Sequence, residues 1–294
     1  MSRLCADILK QNPEGIKRCE VGHGNYVCIA RCEGKDYVVR CNTETGAYDD
    51  TIFWLGRLKS VSVPVPEVIA HGRTEECEYL ILEYIEGEDL GEVYPALSDK
   101  DKRCIAREVA EIQQKAAQLQ VEDLPVDWAW GNWIVEMLDR AESRILAGGY
   151  FDVGKVSRLR EEMKKLEEYF SSVEPIAYLD DISTKNLLIN NGRVSGVIDV
   201  DWIGVGDRLT FAALTGMALL NMELSCNYVD YLLDEMQITT EERRAFLFYK
   251  LIFCVDFMGE RGMQFFDKRV EVNDRIIDRL NGIYDSLWGE WLAY

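Results

Sequence analysis

The chain has 294 residues, 48% of them hydrophobic and 29% charged, which is enough apolar mass for a sizeable core in one or two lobes. A formal net charge of -19 excludes a nucleic-acid binder that relies on diffuse positive charge, and disfavours an anionic membrane surface; a cationic partner would be attracted. The acidity is uneven: residues 1–85 carry 10 Lys/Arg against 13 Asp/Glu, and residues 86–294 carry 23 against 39.

The opening MSRLCADILKQ is too polar for the apolar core of a signal peptide. Even the apolar stretch around 245–258 is interrupted by Lys250 and Asp256, so no membrane span is expected. The nine cysteines form no C-x-x-C pair, and His23 and His71 are the two histidines, which leaves little for a zinc site. A cytoplasmic protein with reduced, core-filling cysteines is the expectation.

Runs rich in β-favouring residues at Gly15–Val21, Tyr26–Cys32 and Lys35–Cys41 predict three strands, separated by Gly22–Asn25 and Glu33–Gly34. A helix is predicted over about Gly46–Leu58, with Ile52, Trp54, Leu55 and Leu58 on its apolar side. The prolines of VPVPEVIAHG (63–72) call for an extended segment, and Cys77–Tyr84 reads as a further strand. After Gly87 the pattern turns helical. Asp99–Leu119 follows Ser98 as N-cap, and Trp130–Leu146, Val153–Phe170 and most of Asp207–Trp291 continue the theme. Pro175–Val200 is the one strand-like island among these helices. The boundary falls near Tyr84–Leu90, which divides the chain into 1–86 and 87–294.

Tyr178–Trp202 is the segment richest in chemistry. Asp181 is followed five residues later by Asn186 and eighteen later by Asp199. The apolar runs Leu187–Ile189 and Val197–Ile198 flank Asn190–Asn191–Gly192, a turn with hairpin chemistry. Pairing of those runs brings Asn186 and Asp199 together at the outer ends of the hairpin, with Asp181 on the loop before it. Oxygen ligands of this kind suit magnesium, whose remaining positions substrate phosphates can fill.

This constellation resembles the catalytic loop and metal-binding aspartate of the aminoglycoside phosphotransferase and choline kinase-like small-molecule kinases. That family carries H-G-D-x-x-x-x-N, then I-D, then G-D; the counterparts here are Leu179–Asp180–Asp181 through Asn186, Ile198–Asp199 and Gly206–Asp207. VGHGNYVCIAR (21–31) is similar to the family's nucleotide loop, YVVR (37–40) to the strand bearing its phosphate-binding cation, and YLILEYIEG (79–87) to the strand entering the interlobe hinge. The resemblance spans roughly residues 15–215. It implies an α+β, bilobal protein kinase-like fold, with a small antiparallel-sheet N-terminal lobe for nucleotide (1–86) and a larger, mostly helical C-terminal lobe for catalysis and acceptor binding (87–294).

The resemblance further implies a role for each matching residue. Asp181 is the base that accepts the acceptor hydroxyl's proton, and Asn186 and Asp199 hold Mg2+. Gly22, Gly24 and Asn25 let main-chain N–H groups approach phosphate. Arg40 supplies the cation, with bidentate capacity in place of the usual lysine. Glu83, Tyr84 and Ile85 line the adenine of ATP (or GTP). An acidic partner for Arg40 is expected from the following helix, with Glu44, Asp49 and Asp50 as candidates and Tyr48 also at a plausible register. Leu179 and Asp180 depart from the family's His and Gly, and Asp180 puts a second carboxylate beside the base. Asp180, Asp256 and Glu260 are candidates for binding a cationic acceptor, and Trp202 and Trp288 could line its site. The implied activity is transfer of a nucleoside triphosphate's γ-phosphate to a hydroxyl of a small, cationic molecule such as an amino sugar. A choline or amino-alcohol kinase and a non-catalytic nucleotide-binding module are the alternatives. A serine hydrolase elbow and a Walker-type phosphate loop are both absent.

Overall fold

Arg40 and Val38 stand opposite Leu80 and Leu82 on one face of an antiparallel sheet, while Val39 and Ile81 face the other way. That alternation gives the sheet two working faces. The computed structural model containing it describes residues 2–19, 26–121, 124–126, 128–265 and 268–294. Gly22, Gly24 and Asn25 lie outside the described residues.

The first part of the chain runs α1 (Ser2–Leu9), β1 (Gly15–Arg18), β2 (Tyr26–Cys32), β3 (Lys35–Asn42), α2 (Asp49–Ser60), β4 (Val68–Arg73) and β5 (Glu78–Glu83). Its five strands are ordered β1-β2-β3-β5-β4, every neighbouring pair antiparallel. The helix α1 is a departure from the strand-rich expectation. It supplies Cys5, Ile8 and Leu9 to a small core with Cys28, Ala30, Val39 and Ile81, on the sheet face away from Arg40. The other face joins the main core through Leu80 and Leu82, with Leu55 and Leu58 of α2.

Next come β6 (Glu88–Asp89), α3 (Leu90–Val93), α4 (Asp99–Ala116), α5 (Trp130–Gly148), α6 (Gly154–Met163), α7 (Glu167–Ser172) and β7 (Ala177–Tyr178). The expected helix over 153–170 is thus divided in two. Ser98 caps α4 as its sequence foretells: its hydroxyl takes the Asp101 N–H while the Asp101 carboxylate takes the Ser98 N–H. The hairpin follows as β8 (Leu187–Asn190) and β9 (Arg193–Val197), then β10 (Gly204–Val205). Strand β6 pairs with β8 to make a three-stranded sheet, and β10 pairs with β7. The chain ends with α8 (Leu209–Asn221), α9 (Asn227–Glu235), α10 (Thr240–Glu260), β11 (Gln264–Phe265), β12 (Lys268–Arg269) and α11 (Asp274–Leu292).

The short β11–β12 pair interrupts a region whose sequence reads as helical. It follows Gly262, whose φ of 77° leaves the helical region where α10 ends. Helix α10 is the spine of this half, packed against α5, α8 and α11, with thirteen of its residues buried. Among the described residues no helix is long and apolar enough to cross a membrane. One main-chain hydrogen bond, Val197 N–H to Pro64 O at 2.8 Å, joins β9 to the segment leading into β4.

Candidate active site

The loop after β7 begins at Leu179, which is buried and gripped from both sides by one side chain. Gln113, itself buried in α4, donates from Nε2 to Leu179 O (2.8 Å) and accepts the Leu179 N–H on Oε1 (2.9 Å). A second anchor follows, where Gly91 N–H donates to Thr184 O at 2.8 Å. A third comes from Asp89, whose Oδ1 accepts the Asn186 N–H at 2.9 Å. These bonds hold Asn186 at a φ of 64°, a left-handed conformation that a short amide side chain tolerates. Asn186 then turns back on the loop: its Nδ2 donates to Asp181 Oδ2 (3.0 Å) and to Asp181 O (3.1 Å).

The hairpin delivers the third residue. Asn191 and Gly192 have φ values of 50° and 72°, the pattern of a two-residue turn whose twist matches paired strands. Pairing runs from Asn190–Arg193 to Leu187–Val197, with one irregularity between Leu188 and Ile189. One further bond, Ile198 N–H to Asn186 O at 2.9 Å, sets Asp199 beside Asn186. Leu179, Asp180, Asp181, Ile182, Ile198, Asp199, Val200 and Trp202 line one open cleft. Asp181, Asn186 and Asp199 therefore converge.

Electrostatics in the cleft follow from that convergence. The surrounding protein strips water from Asp181, and the carboxylates of Asp180 and Asp199 repel its charge, so its pKa is pushed up to about 6; Lys185 and the Asn186 amide pull the other way. Burial also raises Asp180, offset by a hydrogen bond from Trp202 Nε1 to Asp180 Oδ2 at 2.9 Å. Trp202 is otherwise 59% exposed, its ring left at the rim.

Arg40 enters from β3. Its Nη1 lies 3.4 Å from Asp199 Oδ1 and its Nη2 lies 3.8 Å from Asp201 Oδ2; its guanidinium sits over the Tyr48 ring at 5.5 Å. The ion pairs expected with Glu44, Asp49 or Asp50 do not form: the acids that meet Arg40 follow β9. Helix α2 contributes a hydroxyl instead, Thr51 Oγ1 donating to Asp201 Oδ1 at 2.5 Å. Gln113, Asp89, Thr51 and Asp201 carry no sequence signal of their own, since each acts through a contact that only the folded chain creates.

The remaining residues singled out from sequence have distinct surroundings. At the end of β5, Glu83 has its N–H bound to Glu67 O (2.9 Å) and its carboxylate taking the Glu67 N–H (3.2 Å). Tyr84 follows half-buried, and Ile85 packs so closely on Gly196 that a Cβ there would lie 2.6 Å from Ile85 Cδ1. Asp256 is 6% exposed and bound by Arg140 (3.0 Å) and Arg144 (3.2 Å), so two guanidinium groups balance its charge; Glu260 lies 3.8 Å from Arg144. Trp288 stacks on Tyr284 against the core. Gly206 and Asp207 form a buried support: a Cβ on Gly206 would lie 2.2 Å from the Trp130 ring, and Asp207 accepts from Tyr169 (2.6 Å), Tyr249 (2.7 Å) and Leu209 N–H (2.9 Å).

Comparison with known proteins bears on the family and the fold. The sequence profile of the phosphotransferase enzyme family (APH) matches residues 15–247. An aminoglycoside 3'-phosphotransferase of Streptomyces fradiae is 27% identical over 194 residues, covering 60% of this chain and 67% of its own. Among solved structures, the ADP-bound aminoglycoside phosphotransferase APH(2'')-Ib superposes with a TM-score of 0.63 at 16% identity, covering 97% of this chain and 96% of its own. A ternary complex of a thermostable APH(4)-Ia mutant with ADP and hygromycin B gives 0.65 at 17% identity, with 97% and 98% covered. The streptomycin–ATP–APH(2'')-IIa complex gives 0.63 at 16%, with 98% and 94% covered. With its antiparallel-sheet N-terminal part, its helical C-terminal part and a profile match over most of its length, the chain belongs to the phosphotransferase enzyme family, as a small-molecule kinase of protein kinase-like fold.

Proposed function

We propose that the protein moves the γ-phosphoryl group of ATP or GTP to a hydroxyl of a small, cationic acceptor, with an amino sugar of the aminoglycoside kind as the leading class. The convergence of Asp181 and Asp199 in one cleft, with Asn186 hydrogen-bonded to Asp181 and to the strand end before Asp199, carries this reading. The acceptor class draws on the aminoglycoside 3'-phosphotransferase of Streptomyces fradiae and on the cleft's excess of carboxylates.

Phosphoryl transfer passes through a loose transition state, so positioning and charge neutralisation supply most of the catalysis. Asp181, with a pKa near 6, is mainly a carboxylate at pH 7. The Asn186 amide occupies its Oδ2, which leaves Oδ1 to accept the acceptor hydroxyl's proton. Because Asn186 spends its Nδ2 on Asp181, its amide oxygen is the atom available for a cation, alongside the Asp199 carboxylate. Those two oxygen ligands fit Mg2+, which when bound with a nucleotide would neutralise phosphate charge. Arg40 steadies the phosphates, and the hinge at Glu83–Ile85 receives the base. Asp180 lines the same cleft as Asp181 and is the acid best placed for an ammonium group; Asp256 already has its charge matched by arginines.

The test is phosphate transfer by the purified protein with Mg2+ and ATP or GTP, read by mass spectrometry across aminoglycosides, choline and amino alcohols. A phosphorylated amino sugar supports the proposal. Transfer confined to choline or an amino alcohol replaces the acceptor class, and nucleotide binding with no transfer to any compound overturns the catalytic reading.

A further inference from the structure

We infer that Asp201 is a positioning residue which holds the Arg40 guanidinium in place for nucleotide phosphates; this rests on the phosphotransferase reading above. Arg40 meets two carboxylates that differ in how firmly they are held. Asp199 is free-standing, its side chain 56% exposed, and it is the carboxylate proposed to turn to the metal. Asp201 is tethered, because the Thr51 hydroxyl fixes its Oδ1 at 2.5 Å while its Oδ2 faces Arg40 Nη2. Thr51 is itself 3% exposed in the first turn of α2, so the tether is anchored in the core. The Arg40 side chain is 11% exposed and its Nε is buried without a hydrogen-bond partner.

A guanidinium so enclosed needs a lasting counter-charge, since an unpaired buried cation is costly. When Asp199 engages a metal ion, Asp201 is the partner that stays. The helix that follows β3 therefore orients the cation without an acid of its own: a neutral hydroxyl on α2 holds an aspartate supplied by the other half of the chain. Through that relay, the placement of α2 reaches the phosphate-binding cation.

The experiment measures the KM for ATP, kcat and melting temperature of three variants with the best acceptor. Asp201→Asn preserves the shape and the Thr51 contact and removes the charge; the expected result is a rise in KM for ATP of about tenfold, with a smaller change in kcat. Thr51→Val cuts the tether and leaves the charge, and about a threefold rise is expected. Thr51→Glu added to Asp201→Asn returns a carboxylate to the same place from α2, and should restore most of the lost affinity. Unchanged KM in Asp201→Asn and in Thr51→Val overturns the inference alone. A raised Mg2+ requirement with no rescue by Thr51→Glu also overturns it, making Asp201 a metal ligand. A wild-type protein that binds no nucleotide, by thermal shift, brings down the functional reading together with this inference.

Discussion

Gln113 and Leu179 are joined by a closed pair of hydrogen bonds, amide to main chain in both directions, 66 residues apart in sequence. The pair fixes the start of the loop that carries Asp180 and Asp181. Gln113→Leu leaves a buried N–H and a buried carbonyl without partners, which costs about 2–4 kcal/mol. Chemical denaturation should register that loss. Steady-state kinetics should show kcat falling more than the KM for nucleotide, because the displaced group is the proposed base.

The pH dependence of transfer follows from Asp181. A base must be unprotonated, so kcat/KM should rise through an acid limb near pH 6 and level off above it. Repulsion from Asp180 is part of what lifts Asp181, so Asp180→Asn should move that limb to lower pH. A limb that stays in place would leave burial and the Asp199 charge as the causes.

Replacing the base should affect stability in a direction that depends on pH. The Asp181 pKa is higher in the folded protein than in the unfolded chain, so ionisation disfavours the fold as pH rises through about 6. Asp181→Asn should therefore abolish transfer, retain nucleotide-induced stabilisation, and melt higher than wild type at pH 8. At pH 4 the difference should be much smaller, and it should vanish below the ordinary carboxyl value of 3.8. Melts at the two pH values provide the check, and a lower melting temperature at pH 8 would contradict the assigned environment.

Asp207 should behave in the opposite way to Asp181. It is 7% exposed, and Asp207→Ala would orphan the hydroxyls of Tyr169 and Tyr249 and an N–H at the start of α8. A loss of about 3 kcal/mol or more is expected from breaking such a network. Urea unfolding would measure it.

Asp256→Asn separates two roles for one acid. Its carboxylate neutralises Arg140 and Arg144, so the substitution should lower the melting temperature and leave acceptor KM unchanged. A raised acceptor KM at unchanged stability would place Asp256 in the acceptor pocket.

How much of this was legible beforehand depends on sequence separation. The Asn191–Gly192 turn and its flanking apolar runs are local, so the hairpin, and with it the approach of Asn186 to Asp199, follows from chain chemistry. Strand β2, helix α4 and its Ser98 cap are local in the same sense. Arg40 is different: the acids of α2 are near in sequence, but those that meet it lie 159 and 161 residues away, across the cleft. Gln113 has no local pattern either, because a glutamine inside a helix is ordinary until a loop packs on it. Asp256 and Glu260 share a helix face as their spacing predicts, but the arginines opposite come from α5, which no spacing within α10 reveals.

The Val197–Pro64 bond is made of backbone atoms on both sides, so it does not care which side chains occupy those positions. Mutational drift around it can reshape pocket walls freely. The join between the sheet and the strand leading to Asp199 persists through such drift, and fails only where position 197 becomes an imino acid. Variety in acceptors and constancy in the phosphate-handling centre can thus coexist in one scaffold.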